Sequence, residues 1–126
     1  MRHGVKTKKL GVSNSHRPLL MRNLATSLFE KSSMITTLTR AKTLKPFAEK
    51  LVTIAKTKDK MNAIRALKAV LFTDLAIENC FKIAGLSKDR NGGYTRVLRL
   101  ENNRQGDNAP VGFIQLVDSE QPKVAN

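Results

Sequence analysis

The sequence predicts an α+β domain in which helices pack on a small sheet of about three strands, preceded by a basic extended N-terminal tail. Four segments have apolar residues at helical spacing, three short runs have strand character, and the first 15 residues have almost no apolar periodicity. We expect residues 1–15 to form the tail, residues 16–118 to form one globular domain, and residues 119–126 to form a flexible C-terminal tail.

The domain is expected to begin with a helix and a short strand. Ser13-Asn14-Ser15 offers N-caps, and Pro18 is tolerated only in a first turn, so the helix should begin between His16 and Pro18. The β-branched run Met34–Leu38 predicts the strand. The apolar stripe of the helix consists of Leu20, Leu24 and Leu28, with Met21 and Ala25 beside them.

Three further helices should follow. Thr39 is the expected cap of the first, in which Pro46 should either introduce a kink or mark the true first turn near Leu44. Thr57 or Asp59 should cap the next helix. The last of the three should run from Thr73 to a C-terminal cap at Gly85. Their apolar positions are Ala41, Leu44, Phe47, Ala48, Leu51, Ile54 and Ala55, then Met61, Ile64, Leu67 and Leu71, then Leu75, Ile77, Phe81 and Ala84.

The C-terminal part of the domain predicts a hairpin. Runs of strand character at Tyr94–Leu100 and Val111–Val117 are separated by the polar connection Glu101–Pro110. We expect the two strands to pair through this long loop. The aromatic residues are expected to lie in the core, which argues against base stacking as the main mode of recognition; they are Phe29, Phe47, Phe72, Phe81 and Phe113.

Positive charge is concentrated in the first half of the chain. Residues 1–58 contain thirteen Lys or Arg and two acids, Glu30 and Glu49, whereas residues 59–126 contain ten basic and eight acidic residues. A positive field of this density requires a polyanionic partner, and nucleic acid is the expected one. A solvated charge run that only aids solubility is the alternative interpretation of the tail.

Enzymatic and metal-binding functions have little support. Cys80 is alone, so it cannot form an internal disulfide or a cysteine-based zinc site, and it is expected to be a small buried apolar residue. His3 and His16 have neither a thiolate nor a nearby carboxylate to complete a metal site. The loop Asp89–Gly93 begins like a calcium loop but lacks its later ligands. We therefore expect no catalytic residues, no metal, no cofactor and no small-molecule substrate.

Membrane insertion and secretion are also disfavoured by the sequence. The longest apolar runs, such as Ala69–Phe72, are far too short to span a bilayer. Gly, Ser, Asn, His and Pro follow the basic N-terminus where a secretory signal would have an apolar stretch. An acid-free, Ser-containing N-terminus is also typical of an organelle transit peptide, but Lys predominates in the first nine residues and no amphipathic period is visible, which disfavours this alternative.

Several blocks of sequence resemble a known family. The opening MRH, the segments LGVSNSHRPLLMRNLATSLFEK and ITTLTRAKTLKPFAEKLVTIAK, and the closing DRNGGYTRVLRL and GDNAPVGFIQLVD are similar to the bacterial large-subunit ribosomal protein of the seventeen family. The resemblance runs from Met1 to about Asp118. It implies an α+β fold and a basic N-terminal extension that binds ribosomal RNA near the exit of the peptide tunnel.

The expected function is that of a structural constituent of the large ribosomal subunit in the cytoplasm. Its partners would be large-subunit ribosomal RNA and neighbouring large-subunit ribosomal proteins, without a membrane. A DNA-binding architectural or regulatory protein is the alternative, and a membrane-surface protein is a third. The candidate RNA-binding residues are Arg2, His3, Lys6, Lys8, Lys9, Ser15, His16, Arg17, Arg22, Arg40, Lys42, Arg90 and Arg96.

Different roles are open for individual members of this set. His16 could donate a hydrogen bond to a phosphate or stack on an exposed base. Arg17 and Arg22 are about 140° apart on a helix of 3.6 residues per turn and could bind separate RNA strands, or they could form an ordinary charged face. The glycine-containing turn before Tyr94 could direct Arg90 and Arg96 at RNA, or it could be purely structural.

Overall fold

A computed structural model describes residues 3–5 and 8–118 of the chain. The described region has four helices on one side of a three-stranded antiparallel sheet, which confirms the predicted α+β class. The elements in chain order are α1 (His16–Lys31), β1 (Ser33–Thr37), α2 (Leu38–Thr57), α3 (Lys60–Lys68), α4 (Asp74–Leu86), β2 (Thr95–Arg99) and β3 (Val111–Leu116). The predicted C-terminal tail, residues 119–126, lies outside the described residues.

The sheet has the strand order β1-β3-β2, so the last strand along the chain lies in the middle. The predicted hairpin is confirmed, with Leu98 opposite Phe113 and Thr95 opposite Leu116. β1 pairs with the other edge of β3 and places Ile35 opposite Phe113. β3 therefore joins β1, from the N-terminal half of the domain, to β2, from its C-terminal half.

The start of α1 agrees with the prediction, but only one serine provides the cap. Ser15 has helical dihedral angles and its side chain makes no capping hydrogen bond. The Ser13 hydroxyl accepts a hydrogen bond from the His16 N–H at 3.3 Å, and the Ser13 carbonyl accepts from the Arg17 N–H at 3.0 Å. Residues before the helix are thus tied to its first turn.

The predicted cap at Thr39 and the predicted helix end at Gly85 are both wrong. α2 begins at Leu38, one residue before Thr39. Pro46 lies inside this helix, which excludes one of its two predicted alternatives, that it marks the first turn. Gly85 does not end α4, because the helix continues to Leu86 and the N–H of Ser87 bonds to Ile83 at 2.9 Å. The cap at Thr73 is confirmed, since its side chain accepts from the N–H of Ala76.

The core lies between the helices and one face of the sheet. Its largest fully buried residues include Phe29, Leu28, Leu44, Leu67, Ile114 and Leu116. Gly112 permits a close approach of α2 to β3, because a Cβ atom there would lie 3.2 Å from Cα of Leu38 and 3.3 Å from Cβ of Ala41. This contact identifies the sheet face that the helices cover.

Two of the five phenylalanines depart from the core prediction. Phe29 is fully buried, and Phe47 and Phe81 pack against the core. Phe72 is 48% exposed, because it follows α3 in a connection at the surface. Phe113 is half-buried and alternates with the buried residues of β3, so its side chain lies on the sheet face away from the helices.

Candidate nucleic-acid interface

The cations of residues 8–58 are not neutralised by ion pairs with other described residues. The two acids of this segment are engaged elsewhere: Glu30 accepts a hydrogen bond from the Thr73 hydroxyl at 2.6 Å, and Glu49 accepts from the Thr95 hydroxyl at 3.0 Å. Within residues 3–5 and 8–118, the salt bridges join Arg90 to Asp118 and Arg104 to Asp107. Neither uses a cation from residues 8–58, so the positive field predicted from the sequence persists in the folded domain.

The described end of the tail forms a tight turn against the domain. The Val12 N–H donates to the Lys9 carbonyl at 3.3 Å, and the two central residues, Leu10 and Gly11, have φ values of 56° and 69°. Positive φ at both central positions is characteristic of a type I′ turn and is unfavourable for leucine. The Leu10 side chain is partly buried against the core, which helps to offset that cost.

Arg17 holds this turn onto α1. Its Nε donates to the Lys9 carbonyl at 3.2 Å and its Nη2 donates to the Val12 carbonyl at 3.4 Å. The guanidinium therefore bridges both ends of the turn. This arrangement fixes where the chain leaves the domain towards its N-terminus, while the side chains of Lys8 and Lys9 remain exposed.

Arg22 is committed to contacts inside the domain. Its Nε donates to the Val70 carbonyl at 2.8 Å, and its guanidinium carbon lies 4.3 Å from the centre of the Phe72 ring. A cation over an aromatic face is an attractive geometry. Arg22 thus joins α1 to the connection between α3 and α4, a role that the sequence did not indicate.

Arg40 and Lys42 lie in the first two turns of α2, with Lys42 exposed. Arg40 lines a pocket of about 290 Å³ together with Ile35, Thr37, Val111 and Arg104. The sequence prediction omitted Arg104, which is distant in the chain and reaches this pocket only through the β2–β3 connection. It also omitted Lys45 and Lys50, which are exposed on α2 and could have been found from charge pattern alone.

Arg104 is held by an acid of its own loop. Its guanidinium donates two hydrogen bonds to the Asp107 carboxylate in a bidentate arrangement, from Nε to Oδ1 at 3.1 Å and from Nη2 to Oδ2. The hydrogen bond from Arg104 lowers the pKa of Asp107 to about 2, and the same pairing raises the pKa of Arg104. The pair stabilises the conformation of the loop beside the pocket.

The remaining predicted residues lie on different elements of the domain. Arg90 pairs with Asp118 at 2.9 Å, and its carbonyl accepts hydrogen bonds from Lys56 and from the Tyr94 hydroxyl. Arg96 is exposed on β2, opposite Gln115. Exposed members of the predicted set at or before the start of α1 are His3, Lys8, Lys9, Ser15 and His16, whereas Arg2 and Lys6 lie outside the described residues.

The buried cysteine has the environment of a structural residue. Burial raises the pKa of the Cys80 thiol to about 12, and the thiol lies 3.7 Å from the Leu51 carbonyl. In the part of the chain that the structure describes, no group of three or more His, Cys, Asp or Glu side chains could hold a metal ion. No helix of this part is long and apolar enough to cross a membrane.

The comparisons with known proteins all match the same family. Residues 20–117 match the family model described as "Ribosomal protein L17". The large ribosomal subunit protein bL17 of Persephonella marina is 46% identical over 120 residues, covering 94% of this chain and 96% of the relative. The bL17 proteins of Maricaulis maris and Hyphomonas neptunium are 42% and 41% identical, covering 95% and 96% of this chain and 85% and 86% of those relatives.

Proposed function

The chain belongs to the ribosomal protein L17 family, and we propose that it binds and stabilises folded ribosomal RNA through its basic tail and α1, near the exit of the peptide tunnel. As a member of this family it is a non-enzymatic constituent of the large ribosomal subunit in the cytoplasm. The DNA-binding alternative is not supported by these relatives.

The observation that carries the RNA-binding proposal is the uncompensated charge of the N-terminal half. Cations that are already paired with carboxylates gain little from a phosphate, whereas unpaired ones release condensed counterions when they bind one. None of the cations of residues 8–58 is used in an ion pair within residues 3–5 and 8–118. The first half of the chain is therefore the expected phosphate-binding surface.

The tail and α1 would act together in this mechanism. Arg17 anchors the turn at residues 9–12, from which the basic N-terminal residues continue. Lys8 and Lys9 would contact phosphates, and Ser15 and His16 would add hydrogen bonds at the start of α1. An anchored tail has a fixed origin, which reduces the conformational entropy that is lost when the tail enters an RNA crevice.

The other candidate cations would contribute secondary contacts. Arg40 and Lys42 are available at the start of α2, and Arg96 is exposed on β2. Arg90 retains 46% exposure of its side chain despite its pairing with Asp118. Arg22 would contribute to the positive electrostatic potential more than to direct phosphate contacts, because its guanidinium already contacts the Val70 carbonyl and the Phe72 ring.

Salt titration with two truncated chains tests the proposal. A chain beginning at Lys9 lacks Arg2, Lys6 and Lys8 but keeps the anchored turn, whereas a chain beginning at Ser15 also loses the turn and the packing of Leu10. With deproteinised large-subunit RNA as the probe, the full chain should lose orders of magnitude in affinity between about 50 and 200 mM salt if six or more phosphates are contacted. The slope of log affinity against log salt should fall by up to about three for the chain that begins at Lys9.

The control for fold is a thermal melt of each chain, and the control for specificity is duplex DNA. The chain beginning at Lys9 should melt like the full chain, because it keeps the contacts of Leu10 and Arg17. A flat salt dependence, or equal affinity for duplex DNA of any sequence, would contradict binding to folded ribosomal RNA. Unchanged affinity in both truncations would restrict recognition to the folded domain.

The location near the tunnel exit requires a separate measurement. Lys45→Cys provides an exposed thiol on α2, whereas the native Cys80 is buried and does not compete for a thiol-reactive iron chelate. Hydroxyl radicals generated at position 45 in assembled large subunits should cleave ribosomal RNA around the tunnel exit. Leu75→Cys, which is also exposed but lies on α4, is the matched control, because it generates the radicals at a second position on the protein. Cleavage only at sites remote from the exit would refute the location without affecting the RNA-binding proposal.

A further inference from the structure

Within residues 3–5 and 8–118, no helix covers one of the two faces of the sheet. Gly112, Ile114 and Leu116 of β3 are buried under the helices, so Val111, Phe113 and Gln115 lie on the opposite face. Residues directly opposite in an antiparallel pair share a face. The register therefore places two complete cross-strand rows there, namely Ile35–Phe113–Leu98 and Ser33–Gln115–Arg96. We call these six residues the open sheet face.

The centre of the open sheet face is apolar and accessible. Ile35 is 62% exposed and Leu98 is 46% exposed, and they flank the half-buried ring of Phe113. These three residues are not among those that pack against the hydrophobic core. An aromatic ring on the middle strand, bordered by two aliphatic side chains, offers a flat apolar surface of a size suited to a planar group.

The charge around this surface is entirely positive on the strands themselves. β1, β2 and β3 contain no acid, and Arg96 stands in the row beside Phe113. The pocket that contains Arg40 is continuous with the face, because Ile35 lines both, and Arg104 in the same pocket is already paired with Asp107. Cations at two sides of an apolar centre complement a partner that carries both flat bases and negative phosphates.

We propose that unpaired nucleotides of ribosomal RNA lie across the open sheet face, with a base against Phe113 between Ile35 and Leu98. Arg96 and Arg40 bind phosphates on either side of that base, and Gln115 and Ser33 offer hydrogen bonds to its edge. This inference rests on the proposed function and adds a single-stranded class of target to phosphate recognition by the tail. The absence of acids on the strands favours RNA over a basic ribosomal protein as the occupant.

Replacement of the ring tests the apolar contact. Phe113→Leu keeps an aliphatic residue between Ile35 and Leu98 but removes the flat aromatic surface, and Phe113→Thr removes most of the apolar contact. Stacking of a base on an aromatic side chain predicts that affinity for deproteinised large-subunit RNA falls by about five-fold to a hundred-fold in Phe113→Thr, and by less in Phe113→Leu. The salt slope should stay unchanged in both variants, because no phosphate contact is lost.

Arg96→Gln is the matched electrostatic control and should reduce the salt slope by about one. A thermal melt of each variant identifies losses that come from unfolding, and Phe113→Leu keeps the test valid if Phe113→Thr does not fold. Wild-type affinity in a folded Phe113→Leu and a folded Phe113→Thr would overturn the base contact. A steep salt dependence of the wild-type chain would still support the proposed function in that case, so the two failures are distinguishable.

A photo-crosslink in assembled large subunits identifies the occupant directly. Leu98 replaced by p-benzoylphenylalanine places the reactive group on the open sheet face, and Leu75 replaced in the same way provides an exposed control site on α4. An RNA adduct at a nucleotide outside any base-paired helix, obtained from position 98, supports the proposal. An adduct to a protein, an adduct to paired RNA only, or no adduct in subunits that contain the variant overturns it.

Discussion

Arg17 is expected to position the tail by holding the turn of residues 9–12, without binding a phosphate itself. The replacement Arg17→Lys separates these roles, because it keeps the positive charge but cannot bridge the carbonyls of Lys9 and Val12 as the guanidinium does. If Arg17 were a phosphate contact, lysine would largely replace it. If it positions the turn, lysine should release the turn.

The size of the effect follows from the two hydrogen bonds. A hydrogen bond from a charged donor contributes about 1.5–3 kcal/mol when well formed and shielded. These bonds are 3.2 and 3.4 Å long and partly exposed, so we take about 1–1.5 kcal/mol for the pair together. Releasing the turn should therefore weaken RNA binding by about five- to ten-fold.

The assay is a salt titration of RNA binding together with amide hydrogen exchange in the free protein. In Arg17→Lys the affinity should fall while the salt slope stays constant, and the Val12 amide, which donates to Lys9 in the turn, should lose protection. Lys9→Gln is the control, because it keeps the backbone carbonyl but removes an exposed cation, and its slope should fall by about one. Wild-type affinity for Arg17→Lys, combined with a reduced slope for Arg17→Gln, would refute the positioning role.

Three other predictions concern the domain that carries the interface. Gly112→Ala should lower the free energy of unfolding by about 1–3 kcal/mol in a denaturant titration, because the new Cβ would lie 3.2 Å from Cα of Leu38; an unchanged midpoint would contradict the close packing of α2 on β3. Cys80 should resist a thiol reagent at pH 8 in the folded protein and react fully in denaturant, since burial raises its pKa to about 12, and Cys80→Ala should cost about 1–2 kcal/mol of stability without weakening RNA binding. An NMR titration should find the pKa of Asp107 at about 2 in the wild-type protein and nearer its ordinary value in Arg104→Gln. Because the pKa is lowered in the folded protein, the pairing stabilises the loop above about pH 4, and this stabilisation is lost as the pH falls towards 2. Equal pKa values in both proteins would exclude the pairing.

The order of helices and strands could be predicted from the sequence because it depends on local periodicity. Apolar residues three or four apart indicate a helix wherever the rest of the chain lies, and Thr73 caps α4 through a contact with Ala76 only three residues away. Boundaries were less predictable. Gly85 looked like a helix end, but it lies within α4, because the backbone hydrogen bonding of the helix continues to the Ser87 N–H, which bonds to the Ile83 carbonyl.

The interface shows the same contrast between what the sequence alone predicts and what requires the tertiary structure. The sequence alone determined that the N-terminal half is strongly basic, since counting charges requires no coordinates. The surroundings of individual cations depend on residues distant in the chain: Arg22 donates to the Val70 carbonyl, and Arg104 lines the same pocket as Arg40. Tertiary structure alone decided these assignments, because a side chain's hydrogen-bond partners are set by how the elements pack.

Phe113 illustrates the physical reason most clearly. Alternation along β3 shows that Val111, Phe113 and Gln115 share one face and that Gly112, Ile114 and Leu116 share the other, but a period of two residues does not say which face meets the helices. By residue type, Phe113 suits the core as well as Ile114 does. The close approach of α2 at Gly112 decides between the faces, and it places the aromatic ring on the open side of the sheet.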